Sequence, residues 1–162
     1  MAKANIAAVS TLGMKLGYAV ETTAGTQPTT FKWLQRATRI GAIDLTTETL
    51  DASAIEDLIT RSIAGRQDTG GDWDFDFFLT NEAGPIYQGM LDEAKEGLAE
   101  NKRTWFTVWS PYLDKAFFII AQPGGTIPMP EIEGNTTLEV TLTLALDEYK
   151  GLTTAVEPTD TD

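Results

Sequence analysis

Between positions 12 and 20 every even residue is apolar or aromatic, namely Leu12, Met14, Leu16, Tyr18 and Val20, with Gly13, Lys15, Gly17 and Ala19 between them. Period-two alternation predicts a β-strand with one packed face. The breaker-rich run 22–30, with Gly25 and Pro28, ends it, and 31–36 and 39–46 read as two more strands. After Gly70 and Gly71 the signal is stronger: Trp73, Phe75, Phe77 and Leu79 share one face, and Asp74, Asp76 and Phe78 share the other. The period then changes. Over 85–98, Pro85 suits a first helical position, and Ile86, Met90, Leu91, Ala94 and Leu98 form a stripe opposite Asp92, Glu93, Lys95 and Glu96. Asn101, Lys102 and Arg103 follow as a helix end.

Strand patterning resumes at 104–110 and 115–121, which flank a hairpin connection at 111–114, and a turn follows at 122–126. The longest alternation is 137–146, with Leu138, Val140, Leu142, Leu144 and Leu146 inward and Thr137, Glu139, Thr141, Thr143 and Ala145 outward. About seven strands and one helix predict a mainly β fold: an antiparallel sandwich or distorted barrel with one flanking helix and a long inter-strand loop. That loop, 47–71, reads in two ways. Ser53 and Glu56 have capping-box spacing, and Ile55, Leu58, Ile59 and Ile63 fall at helical spacing, so it is either a short helix or an excursion whose apolar side meets a partner.

The chain has 162 residues, enough for one domain with a real core. We place that domain at 1–152 and read 153–162, mostly Thr, Pro, Asp and Glu, as a flexible acidic tail. No run is long and apolar enough for a membrane span or a signal-peptide core, which predicts a protein made and left in the cytoplasm. Twelve basic against 24 acidic residues give a net charge of −12, which argues against affinity for nucleic acid. With no histidine and no cysteine, imidazole and thiolate catalysis and the usual zinc ligand sets are excluded.

The remaining chemistry is thin. Asp72, Asp74 and Asp76 alternate as acids do in calcium loops, but Trp73, Phe75 and Phe77 interleave them on a strand, where a calcium loop needs a tight turn. Paired carboxylates for a glycosidase are uninformative among 24 acids. Gly65 and Gly70 have phosphate-loop spacing, but Gly71 and Asp72 stand where Lys and Ser or Thr are required. No catalytic, cofactor or metal set emerges. A small acidic β domain with a long, partly apolar excursion instead predicts contact with copies of itself. The other readings are a ligand-binding β-sandwich module for carbohydrate or calcium and, behind it, a carboxylate-dependent hydrolase.

Several runs together resemble the major tail tube proteins of long non-contractile-tailed phages. They are TLGMKL from Thr11 to Leu16, IGAI from Ile40 to Ile43, ETLD from Glu48 to Asp51, IAG from Ile63 to Gly65, DTGGDWDFDF from Asp68 to Phe77, and NTTLEVTL from Asn135 to Leu142. The resemblance covers roughly 12–146 as an order of elements with modest local motifs. It implies a fold shared with the type VI secretion tube protein, and hexameric rings stacked into a hollow tube of the virion tail after synthesis in the host cytoplasm. It also implies a tape measure protein inside, and tail terminator and distal tail proteins at the ends. The resemblance further implies that double-stranded DNA passes through without specific binding, that no membrane is involved and that no cofactor is needed. On this resemblance 47–71 is the loop that reaches the adjacent ring, with Leu50, Ile55, Leu58, Ile59 and Ile63 buried on assembly, and Asp74, Asp76 and Glu139 line an acidic lumen.

Overall fold

The computed structural model describes residues 7–159. In chain order its elements are β1 (Lys15–Val20), β2 (Lys32–Leu34), β3 (Ala37–Ile40), β4 (Thr46–Asp51), β5 (Ser62–Asp68), β6 (Asp72–Phe78), α1 (Ala83–Ala99), β7 (Thr104–Trp109), β8 (Lys115–Gln122) and β9 (Glu139–Thr154). Seven strands form one sheet in the order β2-β1-β7-β8-β9-β6-β3, and β4 pairs with β5 apart from it. All these strand pairs are antiparallel. The mainly antiparallel β fold with one helix agrees with the sequence reading, and the sheet does not close into a barrel.

The sheet folds over on itself at β9. Residues 139–145 of this strand pair with β6, and residues 145–154 pair with β8. Two register shifts in the β8–β9 ladder, between Phe118 and Ile119 and between Ile120 and Ala121, add the local bend and twist that bulges bring. In a flat sheet β6 and β7, three strand positions apart, would be separated by about 14 Å. Instead Trp73 of β6 meets Phe106 of β7 with ring centroids 5.4 Å apart. The inward faces of the two halves therefore form one core, with Leu16, Phe75, Phe77, Val140 and Leu144 buried between them. The two ends of the sheet, β2 and β3, are joined only by Gln35 and Arg36, the latter turning the corner at φ 66°.

Helix α1 seals this core by most of the stripe the spacing predicts, Met90, Leu91 and Ala94 being buried and Ile86 packed against the core, with changes at its ends. Ala83, Tyr87, Met90, Leu91, Ala94 and Gly97 are buried, while Leu98 is exposed. Tyr87 stacks on Phe77 at 3.7 Å between centroids, and the Thr80 hydroxyl accepts from the Ala83 N–H at the start of the helix. At the other end Gly97 lies against Val20 and the Lys102 carbonyl, where a side chain would collide with both.

A buried carboxylate fixes the same corner. Glu21 directly follows β1, and its side chain has no solvent exposure. Its oxygens accept from the Arg103 N–H at 2.8 Å, the Gly25 N–H at 3.2 Å and the Trp105 Nε1–H at 3.0 Å, with the Arg103 guanidinium at 3.5 Å. Burial by itself would raise its pKa, but these donors outweigh burial and hold it below the ordinary carboxylate value.

Three expectations change. β1 starts at Lys15, because Gly13 at φ 83° and a Met14 N–H to Thr11 carbonyl bond turn the chain first, which leaves Leu12 exposed. No helix forms in 47–71, where β4 and β5 make a hairpin. The boundary set at Leu152 falls inside β9, and the stretch read as a flexible tail is held to the body through Thr159, where the Thr159 N–H donates to the Phe31 carbonyl. The last three residues of the expected tail lie outside the described residues.

Two outcomes follow from this packing. The Tyr87 hydroxyl is buried without a hydrogen-bond partner among the described residues, so Tyr87→Phe should keep or raise stability in urea unfolding, within about 1 kcal/mol. Glu21→Gln should cost about 2–4 kcal/mol at neutral pH. Because the folded-state pKa of Glu21 is depressed, its stabilisation is complete above the ordinary carboxylate range and is lost as pH falls through the folded value. The variant's acid-side stability curve should therefore be flatter than the parent's, as measured by urea midpoints between neutral and acidic pH.

Candidate assembly surface

The β4–β5 hairpin leaves the sheet between β3 and β6. Its register pairs Thr46 with Asp68, Thr47 with Gln67, Thr49 with Ala64, Leu50 with Ile63 and Asp51 with Ser62, with a shift between Thr47 and Thr49. Nearly every position of both strands is exposed on both faces. A two-stranded ribbon of this kind is marginally stable alone in water. It returns through Gly70 and Gly71, both at positive φ, where the Leu146 N–H donates to the Gly71 carbonyl and fixes the base.

The tip orders itself through polar contacts. The Ser53 hydroxyl accepts from the Arg61 N–H at 2.7 Å, and the Ala52 N–H donates to the Arg61 carbonyl at 2.9 Å. Asp57 accepts from the Ala54 N–H at 2.8 Å and forms an ion pair with Arg61 at 3.6 Å. The capping-box residue Ser53 thus clamps a hairpin turn. The helical spacing of Ile55, Leu58, Ile59 and Ile63 is accidental, because the first three lie in the turn between β4 and β5 and Ile63 pairs across the strands with Leu50, leaving too few residues between for a helix without packing. The apolar side chains are left outside: Ile55 is 104% exposed, Leu58 101% and Ile59 81%, with Leu50 and Ile63 about half exposed. All five predicted loop residues are gathered on this one projection.

The predicted acidic residues also share a surface, the outer face of the β3-β6-β9 half. There Asp76 is opposite Thr141 and Arg39, Asp74 is opposite Thr143, and Phe78 is opposite Glu139. They are not a free row of charge. Arg39 donates to Asp76 at 2.9 Å and to Asp74 at 2.8 Å, and Asp76 is largely buried. The hydrogen bond from Arg39 holds Asp76 below the usual carboxylate range against its partial burial, and the two acids together raise the pKa of Arg39. Glu139 stays exposed and accepts from the Thr38 hydroxyl at 3.0 Å. Among the described residues no group of three or more acids is arranged to hold a metal ion.

Sequence reasoning missed Arg39 as the partner of both acids. It also missed a second apolar projection, Met129 at 84% exposure and Ile132 at 70%, on the connection between β8 and β9. The available signal was two apolar residues beside Pro128 and Pro130 and between acids, in a run with no strand or helix period. A cavity of about 540 Å³ opens beside β3, lined by Met14, Ile40, Ile43, Trp73, Phe117 and Tyr149, with Arg39 also in its wall.

No protein-family model matches the chain, and no curated protein matches it. Among solved structures it is similar to a chain of the anti-feeding prophage (AFP) baseplate, determined by cryo-electron microscopy with six-fold symmetrisation. The TM-score is 0.60 at 15% sequence identity, over 94% of this chain and 100% of that one. At this identity the likeness is one of fold, and it takes in the whole of the other chain.

Proposed function

We propose that this chain is a non-enzymatic structural subunit of a phage-tail-like particle and, within it, of the tube. On this reading it assembles into hexameric rings that stack into a hollow conduit in the virion tail. The conduit encloses a tape measure protein during assembly, meets terminator and distal tail proteins at its ends, and later passes double-stranded DNA without binding it specifically.

The observation that carries the reading is the β4–β5 hairpin. It exposes three apolar side chains at its tip on a ribbon whose two faces are, among the described residues, almost wholly exposed. Exposed apolar surface of this kind marks a contact with a partner, and in a stacked assembly the next ring supplies it. The whole-length likeness to a chain from a six-fold symmetrised baseplate supports a repeating, ring-forming role. The excess of acid supports a conduit that repels phosphate. Within the proposed lumen set, Arg39 reduces Asp74 and Asp76 to one net negative charge, so that cluster and the exposed Glu139 each contribute one. The five loop residues and these three acids are the residues to which we assign assembly and lumen roles.

The triple variant Ile55→Ser, Leu58→Ser, Ile59→Ser should fold as the parent does, since these side chains touch no core, and should lose ring stacking. Negative-stain electron microscopy of concentrated protein checks this, and tubes of normal length from the variant would remove the hairpin from the inter-ring contact. Persistent monomers of the parent with saturable glycan or calcium binding would instead favour a ligand-binding module. Glu139→Lys should leave tubes intact but give them salt-sensitive retention of double-stranded DNA, because each added cation near phosphate releases counterions. Unchanged DNA passage through the variant tube would take Glu139 out of the lumen.

A further inference from the structure

The alternation in β1 predicts one packed face, yet Gly17 and Ala19 on the opposite face are buried too. The cover is residues 155–159. β9 ends at Thr154, opposite Lys115 of β8, and Thr159 forms a parallel bridge with Lys32 of β2. From β9, where Thr154 lies, to β2 is four strand positions, about 19 Å in a flat sheet, and five extended residues reach about 17 Å. The segment therefore takes a direct path across β8, β7 and β1 of the twisted sheet, as a strap over the outer face.

Each step of the crossing has a partner. Ala155 and Val156 pack on a second apolar cluster formed by Ala19, Phe31, Trp105, Phe118 and Ile120. Glu157 accepts from Lys15 at 2.9 Å, and that ammonium lies 4.6 Å from the Trp33 ring. Pro158 is buried over Gly17, where a Cβ would stand 2.7–2.8 Å from the proline ring. At the far side the Trp33 N–H donates to the Thr159 carbonyl at 2.6 Å, and the Thr159 N–H donates to the Phe31 carbonyl at 3.0 Å. The Trp33 N–H lies on the outward side of β2 and the Phe31 carbonyl directly precedes the strand, at one of the two ends of the seven-stranded sheet.

We propose that the strap closes the β2 edge against a second copy of this chain, and that its release opens that edge to strand pairing between copies. An edge strand with unpaired N–H and C=O groups beside an apolar patch is a template for another chain. Here a single residue, Thr159, holds the hydrogen bonds that such a chain would take. The strap is bound by two backbone hydrogen bonds at Thr159, one ion pair, the Pro158 contact on Gly17 and a short apolar stretch, none of which belongs to the sheet's own ladders, so it can open without unfolding the sheet beneath it.

Two variants test this in different ways. A chain ending at Thr154 lacks the strap, and Gly17→Val keeps it but fills the space that Pro158 occupies. In both, hydrogen exchange at the Trp33 amide should quicken by about tenfold or more while exchange in β7 stays slow. In both, sedimentation should show self-association at lower concentration than the parent. Adding Trp33→Pro to the shortened chain removes the outward N–H and should abolish the gained association, since proline is tolerated on an edge strand. Unchanged Trp33 exchange and association in Gly17→Val overturns the proposal. Association that survives Trp33→Pro overturns it as well, because the route would then not be the β2 edge. If the shortened chain does not fold, the full-length Gly17→Val variant decides by the same two readings. The test reads pairing at β2 and not tube formation, so its failure leaves the tube reading untouched.

Discussion

Ala145 faces Asp72 on one side and Gln122 on the other, and the whole molecule turns on that shared position. β9 serves two layers at once: its first half completes the β3-β6 layer and its second half completes the β8-β7-β1-β2 layer. Bulged residues in the β8 ladder let one strand carry both directions. Once the sheet has bent there, Trp73 and Phe106 are forced into contact and the inner faces become a single core. Everything functional is placed by the bend. The β3-β6 layer turns its outer face, with Asp74, Asp76 and Glu139, to one side, and the hairpin springs from the connection that runs from β3 to β6.

The sequence made the strands of this core legible because burial on one face leaves a period-two trace. β6 is the clearest case, since Trp73, Phe75 and Phe77 are all buried where the alternation predicts. What was hidden has physical causes. In α1 the buried Tyr87 and Gly97 are poor markers of a stripe, one carrying a hydroxyl and the other no side chain, so the stripe appeared to include the exposed Leu98. In 47–71 the helical spacing of Ile55, Leu58, Ile59 and Ile63 was misleading because the first three lie in a hairpin tip held by polar contacts and only Ile63 lies in a strand, opposite Leu50. The strap was invisible because its composition is that of a solvated tail. Its fit depends on Gly17 and Pro158, which are far apart in sequence, and no local pattern records such a pair.

Charge shows the same difference between composition and placement. The excess of 12 acids is a property of the surface as a whole, yet individual carboxylates do structural work. Glu21 is consumed inside the fold by the Arg103 and Gly25 N–H groups and the Trp105 indole, and Asp76 by Arg39. An acidic face counted from sequence therefore overstates its field. The surplus that acts at long range is what remains after these pairs are removed, and on the β3-β6-β9 face the three named acids retain two charges, one on the Arg39 cluster and one on Glu139.

The hairpin and the strap are opposite answers to one constraint, that a small β domain cannot cover all its own edges and apolar surface. At β2 the chain covers the edge with its own residues 155–159, Thr159 taking the Trp33 N–H and the Phe31 carbonyl. At β4–β5 it does the reverse, holding the tip in shape with Ser53, Asp57 and Arg61 while Ile55, Leu58 and Ile59 face water. A tip that was merely unstructured would need none of these polar clamps. Ordering the backbone of an exposed apolar tip before any partner arrives lowers the entropy cost of docking it. That arrangement fits a subunit that associates in one direction, through a surface prepared in advance, while its other edge stays closed.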